Sequence, residues 1–145
     1  MMDLVRLIYD YRSLLGRRDL ARLPLDPEEH GRLAAFERRF AQPMRRRHRR
    51  LALGRSAQIK IGREFRDVTV SDISGGGLLL TPAPALEVGE ISVVKIIDAA
   101  IGREYHLPGQ VVWTADTRMG LAFFGIPIEL RYGGGRSGLA DDAAA

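Results

Sequence analysis

The sequence predicts a mainly β protein: a small, closed, six-stranded antiparallel barrel preceded by a helical segment of about two helices. Three observations carry this. Apolar residues near the N-terminus recur at three- and four-residue spacing. A compact helix-start signal follows at Asp26. From Leu51 onward, short apolar segments of strand composition alternate with Gly and Pro at regular intervals.

Leu4, Leu7, Ile8, Tyr11 and Leu14 (with Leu15) form an amphipathic stripe, and Gly16 is a plausible stop. Asp26 suits an N-cap, Pro27 the first helical position, and Glu29 lies three residues after the cap. Leu33, Phe36 and Phe40 then share one face, and Gln42-Pro43 ends the helix. Residues 1–43 read as a nearly neutral helical pair, too small to bury much surface alone, so it must pack on the chain, on a second copy or on a partner. Strands are expected at Leu51–Ile61, Phe65–Ser71, Leu78–Thr81, Ile91–Ile97, Tyr105–Trp113 and Arg118–Phe124. Gly62-Arg63 reads as a turn, residues 72–77 as a break, and Ile126–Tyr132 as a short helix or turn. Gly133–Ala145 reads as a disordered tail.

The chain has 145 residues and a formal net charge of +4, a modest excess that does not itself imply nucleic acid. Of its 22 basic residues only Lys60 and Lys95 are lysine. Genome base composition accounts for a global Arg bias but not for local clustering. The absence of cysteine excludes disulfide frameworks, thiolate metal sites and Cys nucleophiles. Asp3, Arg6, Asp10 and Arg12 interrupt any signal-peptide core, and no apolar run approaches the roughly 18 residues of a membrane span. The expected compartment is the cytoplasm, with no membrane insertion. No esterase elbow, zinc-protease motif, P-loop or dinucleotide fingerprint is present, so a binding module rather than an enzyme is expected. His30, His48 and His106 lack metal-ligand spacing and read as structural or solvent-facing.

Two motifs stand out. Residues 45–50 read Arg-Arg-Arg-His-Arg-Arg and contain Arg46-x-x-x-Arg50 immediately before the first strand. Asp72-x-Ser74-x-x-Gly77 follows on a turn between two strands. With Gly109-Gln110-Val111-Val112-Trp113 and Gly120-Leu121-Ala122-Phe123-Phe124 downstream, residues 44–132 resemble the PilZ domain, the bacterial receptor for cyclic di-GMP. Each motif alone is weak; their order, separation and placement relative to strands give the likeness its weight.

The resemblance implies that Arg46, Arg50, Asp72, Ser74 and Gly77 bind cyclic di-GMP, with Arg45 and Arg47 as further arginines at the ligand. Gly76 belongs to the same loop, and Trp113 lies either on the nucleotide face or in the barrel core. Arg45-x-x-x-Arg49 also fits the first motif; Arg46/Arg50 is preferred because Arg50 directly precedes the strand. The chemistry is coherent. Arg can meet guanine O6 and N7, or a phosphate, with two parallel hydrogen bonds. An ionised Asp72 accepts from the guanine N1–H and N2–H₂ donors and repels phosphate. Gly75, Gly76 and Gly77 permit φ > 0 and close approach of backbone to a ligand.

The leading expectation is a cyclic di-GMP receptor needing no cofactor, whose arm orders over the nucleotide and repositions the N-terminal helices for a protein partner. Family members commonly regulate motility, surface polysaccharide or secretion. The stripe of the first helix suits a homodimer or a docked partner equally. One rival is a PilZ-like scaffold that acts through partners without nucleotide. A second is a nucleic-acid-binding barrel, disfavoured by Asp72 in the candidate groove and by the absence of an aromatic row.

Overall fold

The computed structural model describes residues 4–40 and 51–131. The expectations placed on the arginine run, on Gln42-Pro43, on His48 and on the 133–145 tail lie outside the described residues.

Two helices come first, α1 (Leu4–Asp19) and α2 (Pro27–Phe40). The start of α2 follows its sequence signal. Glu29 N–H donates to Asp26 Oδ1 at 2.8 Å, and Asp26 N–H donates to Glu29 Oε1 at 3.0 Å. This reciprocal capping box satisfies two amides that the helix itself cannot. The end of α1 departs from expectation: the helix runs through Gly16 to Asp19. Gly16 is needed instead because Ile126 lies against it; a Cβ there would stand 2.5 Å from Ile126 Cγ1. The buried face of α1 also shifts slightly, to Val5, Ile8, Tyr11 and Leu14, with Leu4, Leu7 and Leu15 only partly covered.

Strands β1 (Leu51–Ile61), β2 (Glu64–Ile73), β3 (Gly77–Thr81), β4 (Ile91–Asp98), β5 (Arg103–Ala115) and β6 (Arg118–Phe123) form the expected barrel. All neighbours are antiparallel, in the order β4-β1-β2-β3-β6-β5, and the β4–β5 pairing closes the ring. The Gly62-Arg63 turn joins β1 to β2 as expected, Gly62 supplying φ of 62°. Residues 126–131 form neither the helix nor the turn expected of Ile126–Tyr132. Ile128–Arg131 is a seventh strand, β7, laid along Arg103–His106. The reason is tertiary. β6 stops at Phe123, opposite Gly109, so that edge of β5 is open for its first four residues, and β7 fills it.

Alternate residues of the strands fill the barrel: Ile59, Val70, Leu80, Ile96, Tyr105 and Met119 are fully buried. The helices join this core rather than standing apart from it. One stripe of α1 meets the barrel at three successive turns. Tyr9 tilts against Tyr105 at 5.1 Å between ring centroids, Arg12 reaches Gly75, and Gly16 receives Ile126. The opposite side of α1 takes α2, through the stacked Tyr11–Phe36 pair at 4.2 Å and the Arg17–Glu29 and Arg32–Asp10 ion pairs. Among the described residues no helix is long and apolar enough to cross a membrane.

Glu29 serves both the cap and the helix pair. Its carboxyl is held below its ordinary value of 4.5, first by the Arg17 hydrogen bond and then by the Asp26 amide. A carboxyl depressed in the folded state stabilises it above the unfolded pKa and loses that contribution as pH falls through the folded value. Glu29→Gln should therefore lower the thermal midpoint at pH 7. Between neutral pH and about pH 3 the variant should then lose less stability than the wild type. Circular-dichroism melts at the two pH values measure both differences, and equal acid sensitivity would contradict the assignment.

Candidate functional site

The turn between β2 and β3 is built around one hydroxyl. Ser74 is 9% exposed, and its Oγ accepts from the Gly76 and Gly77 amides at 3.1 and 3.2 Å. Its own N–H donates to Gly77 O at 2.8 Å. Ser74 therefore holds the shape of the turn from within. Gly77 has an equally structural reason to be glycine. β3 starts so close to β6 that a Cβ at 77 would collide with the Leu121 carbonyl oxygen, with Ala122 Cα only 3.2 Å away. The expectation that residues 75–77 exploit φ > 0 is not met: the described glycines in that region are Gly54, Gly62, Gly89, Gly102 and Gly125. Gly77 serves close packing instead.

Asp72 is not on the turn, as expected from sequence, but inside β2, paired with Ala52 on one side and Leu79 on the other. Val68 and Val70 point inward, so strict alternation would send Asp72 into the core. The register against β3 slips between Val70 and Asp72, leaving Ser71 as an extra residue. The slip puts Ile73 inside at 1% exposure and turns Asp72 to the outer wall. Among the described residues the Asp72 carboxylate has no hydrogen-bond or ion-pair partner.

Trp113 repeats the device. Val111 points inward at 1% exposure, and the register against β6 slips between Val111 and Trp113. Trp113 is thereby turned outward opposite Gly120, and its indole lies over that glycine; a Cβ at 120 would fall 2.6 Å from Trp113 Cε2. Of the two readings of this residue, the core one is therefore excluded. Asp72, Leu79, Gly120 and Trp113 form one row across β2, β3, β6 and β5. At about 4.8 Å per strand, the row places a carboxylate and an indole roughly 14 Å apart on one wall.

Arg45, Arg46, Arg47 and Arg50 lie outside the described residues, but their covalent root is placed. Leu51 pairs with Ile73, so the chain that follows Arg50 enters the sheet beside Asp72 and Ser74. The structure thus gathers Asp72, Ser74, Gly76, Gly77 and the base of the arginine run at one end of the row, with Trp113 at the other.

One residue here was not anticipated. Arg12 Nη1 lies 3.4 Å from Gly75 O, and its guanidinium carbon lies 5.7 Å from the Phe123 ring centroid. Burial lowers its pKa below the ordinary arginine value. Its sequence signal is a charge four residues after Ile8, on the buried side of an amphipathic helix. His106 pairs with Glu104 at 2.5 Å, and His30 is exposed, so each keeps a local or solvent-facing role.

Gly77→Ala should cost about 3 kcal/mol or more, since the obstructing atom is backbone and cannot swing aside. Gly120→Ala should lift the indole off the wall. Trp113 is the single tryptophan, so a red shift of its emission reports the displacement directly. An unchanged spectrum in a folded Gly120→Ala variant would refute the placement.

No curated protein matches the chain. The PilZ domain model matches residues 44–132, which is more than half of it and spans the arginine run and all six barrel strands. With the barrel closed and the Asp72-x-Ser74-x-x-Gly77 motif running from the end of β2 through the turn to the start of β3, the chain belongs to the PilZ domain family.

Proposed function

We propose that the protein is a cyclic di-GMP receptor whose ligand lies along the row from Asp72 to Trp113. The family is known as a cyclic di-GMP-binding module, which supports a receptor role. The observation that carries the finer reading is the outward turn of both Asp72 and Trp113 on the wall beside the root of the arginine run.

Each group then has a task. Asp72 accepts from a guanine N1–H and N2–H₂ edge. Arg46 and Arg50, with Arg45 and Arg47 beside them, take phosphates or guanine O6 and N7. Trp113 offers a face for stacking. Gly76 leaves the turn open to the ligand, while Ser74 and Gly77 keep the turn in shape. The ligand is a small second messenger, and this reading places the receptor in the cytoplasm. The arginine run joins α2, which ends at Phe40, to β1. Ordering of the run over the nucleotide would move the helical pair, and a partner protein would read the movement.

A second reading has one observation in its favour. Ser74 and Gly77 are both explained by the turn itself, as a scaffold that acts through partners without nucleotide would require.

Isothermal titration with cyclic di-GMP decides between the two. Arg46→Ala, Arg50→Ala and Asp72→Ala should each cost about 1.5–3 kcal/mol of binding, the scale of a charged hydrogen bond. That is roughly 10- to 150-fold in affinity. A loss at Arg45 and Arg49 rather than at Arg46 and Arg50 would fix the other arginine register. No heat and no thermal shift of the wild type at tens of micromolar nucleotide would exclude the receptor reading.

A further inference from the structure

The β2–β3 turn is tied in three directions. Ser74 Oγ ties it internally. Phe123 N–H donates to Gly76 O at 2.8 Å and ties it to β6. Arg12 Nη1, 3.4 Å from Gly75 O, ties it to α1. The first two ties stay within the barrel; the third crosses to the helices.

The third tie is held in place from both ends. Arg12 is partly buried and has no carboxylate partner among the described residues, so its charge depends on the carbonyl and on the Phe123 face. It lies between Tyr9 and Gly16 on the same stripe of α1, and these meet Tyr105 and Ile126. Small displacements of α1 along the barrel must therefore move the guanidinium against Gly75. The Tyr11–Phe36 stack and the Arg17–Glu29 and Arg32–Asp10 pairs make α2 follow.

We propose that Arg12 is a positioning residue that couples the seating of the helical pair to the shape of the ligand turn. This rests on the reading of that turn as part of the cyclic di-GMP site. It adds a route that does not pass through the arginine run: the turn pulls on α1 directly. Coupling is reciprocal. A ligand that settles the turn steadies α1, and a partner that steadies α1 tightens the ligand.

The test uses the full chain with Arg12→Gln, which removes the charge, and Arg12→Lys, which keeps it. In the free protein, amide exchange at Gly76 and Gly77 should rise at least about threefold in the Gln variant and less in the Lys variant, with the rest of the barrel unchanged. Cyclic di-GMP affinity should fall about fivefold in the Gln variant, less in the Lys variant. In the wild type, nucleotide should slow exchange across residues 9–16, and the Gln variant should lose this response. Unchanged exchange at the turn in both variants overturns the coupling. Faster exchange throughout the barrel also overturns it, since Arg12 would then support the fold at large. If the wild type binds no nucleotide, the receptor reading falls, and the exchange of the free protein still decides the role of Arg12.

Discussion

The site depends on two one-residue slips in the sheet. Without the extra residue at Ser71, the alternation set by Val68 and Val70 would carry the Asp72 carboxylate inward, opposite the buried Leu78. Burying an unpaired carboxylate there would cost several kcal/mol. Without the slip at Val112, the alternation set by Leu107 and Val111 would drive the indole into a core already filled by Tyr105 and Met119. Each slip gives up regular ladder pairing at one point and returns a side chain on the outer wall. Because the slips flank one row of the sheet, Asp72 and Trp113 fall on that row and face the same way.

This also explains which parts of the structure could be read from sequence. The start of α2 was legible because a capping box is local: Asp26, Pro27 and Glu29 contain their own partners. The six barrel strands were legible because turn residues punctuate them. The end of α1 was not, because Gly16 answers to Ile126, more than a hundred residues away. Nor was β7, since a four-residue run becomes a strand only when the open edge of Arg103–His106 is present to receive it. The Asp72-x-Ser74-x-x-Gly77 motif was legible as a set of residue types, but the outward aim of Asp72 was not, because a period-two reading runs straight through a bulge. For Trp113 there was a usable signal in Gly120, a glycine inside a strand, which marks a place where something large lies close.

The family boundary at residue 44 falls between α2 and β1, yet the buried cluster runs across it. Val5, Ile8 and Leu14 share a core with Ile73 and Tyr105. α1 reaches the barrel end at which β2 finishes and β3 begins, through Arg12 at Gly75, and β1 starts at the same end with Leu51 opposite Ile73. Any ligand that rearranges that end acts on a packed interface with discrete side-chain positions, and such interfaces shift as units rather than bending smoothly.

Within the motif, the functional weight falls unevenly. Ser74 is consumed by two amides of its own turn, and Gly77 by the closeness of Leu121. Both are accounted for by the turn and its packing in this chain. Asp72 is different. It contributes nothing to the core, it pairs with no described residue, and the sheet accepts an irregularity that brings it outside. In the proposed reading that carboxylate is the group of the motif that meets the hydrogen-bond donors of the ligand.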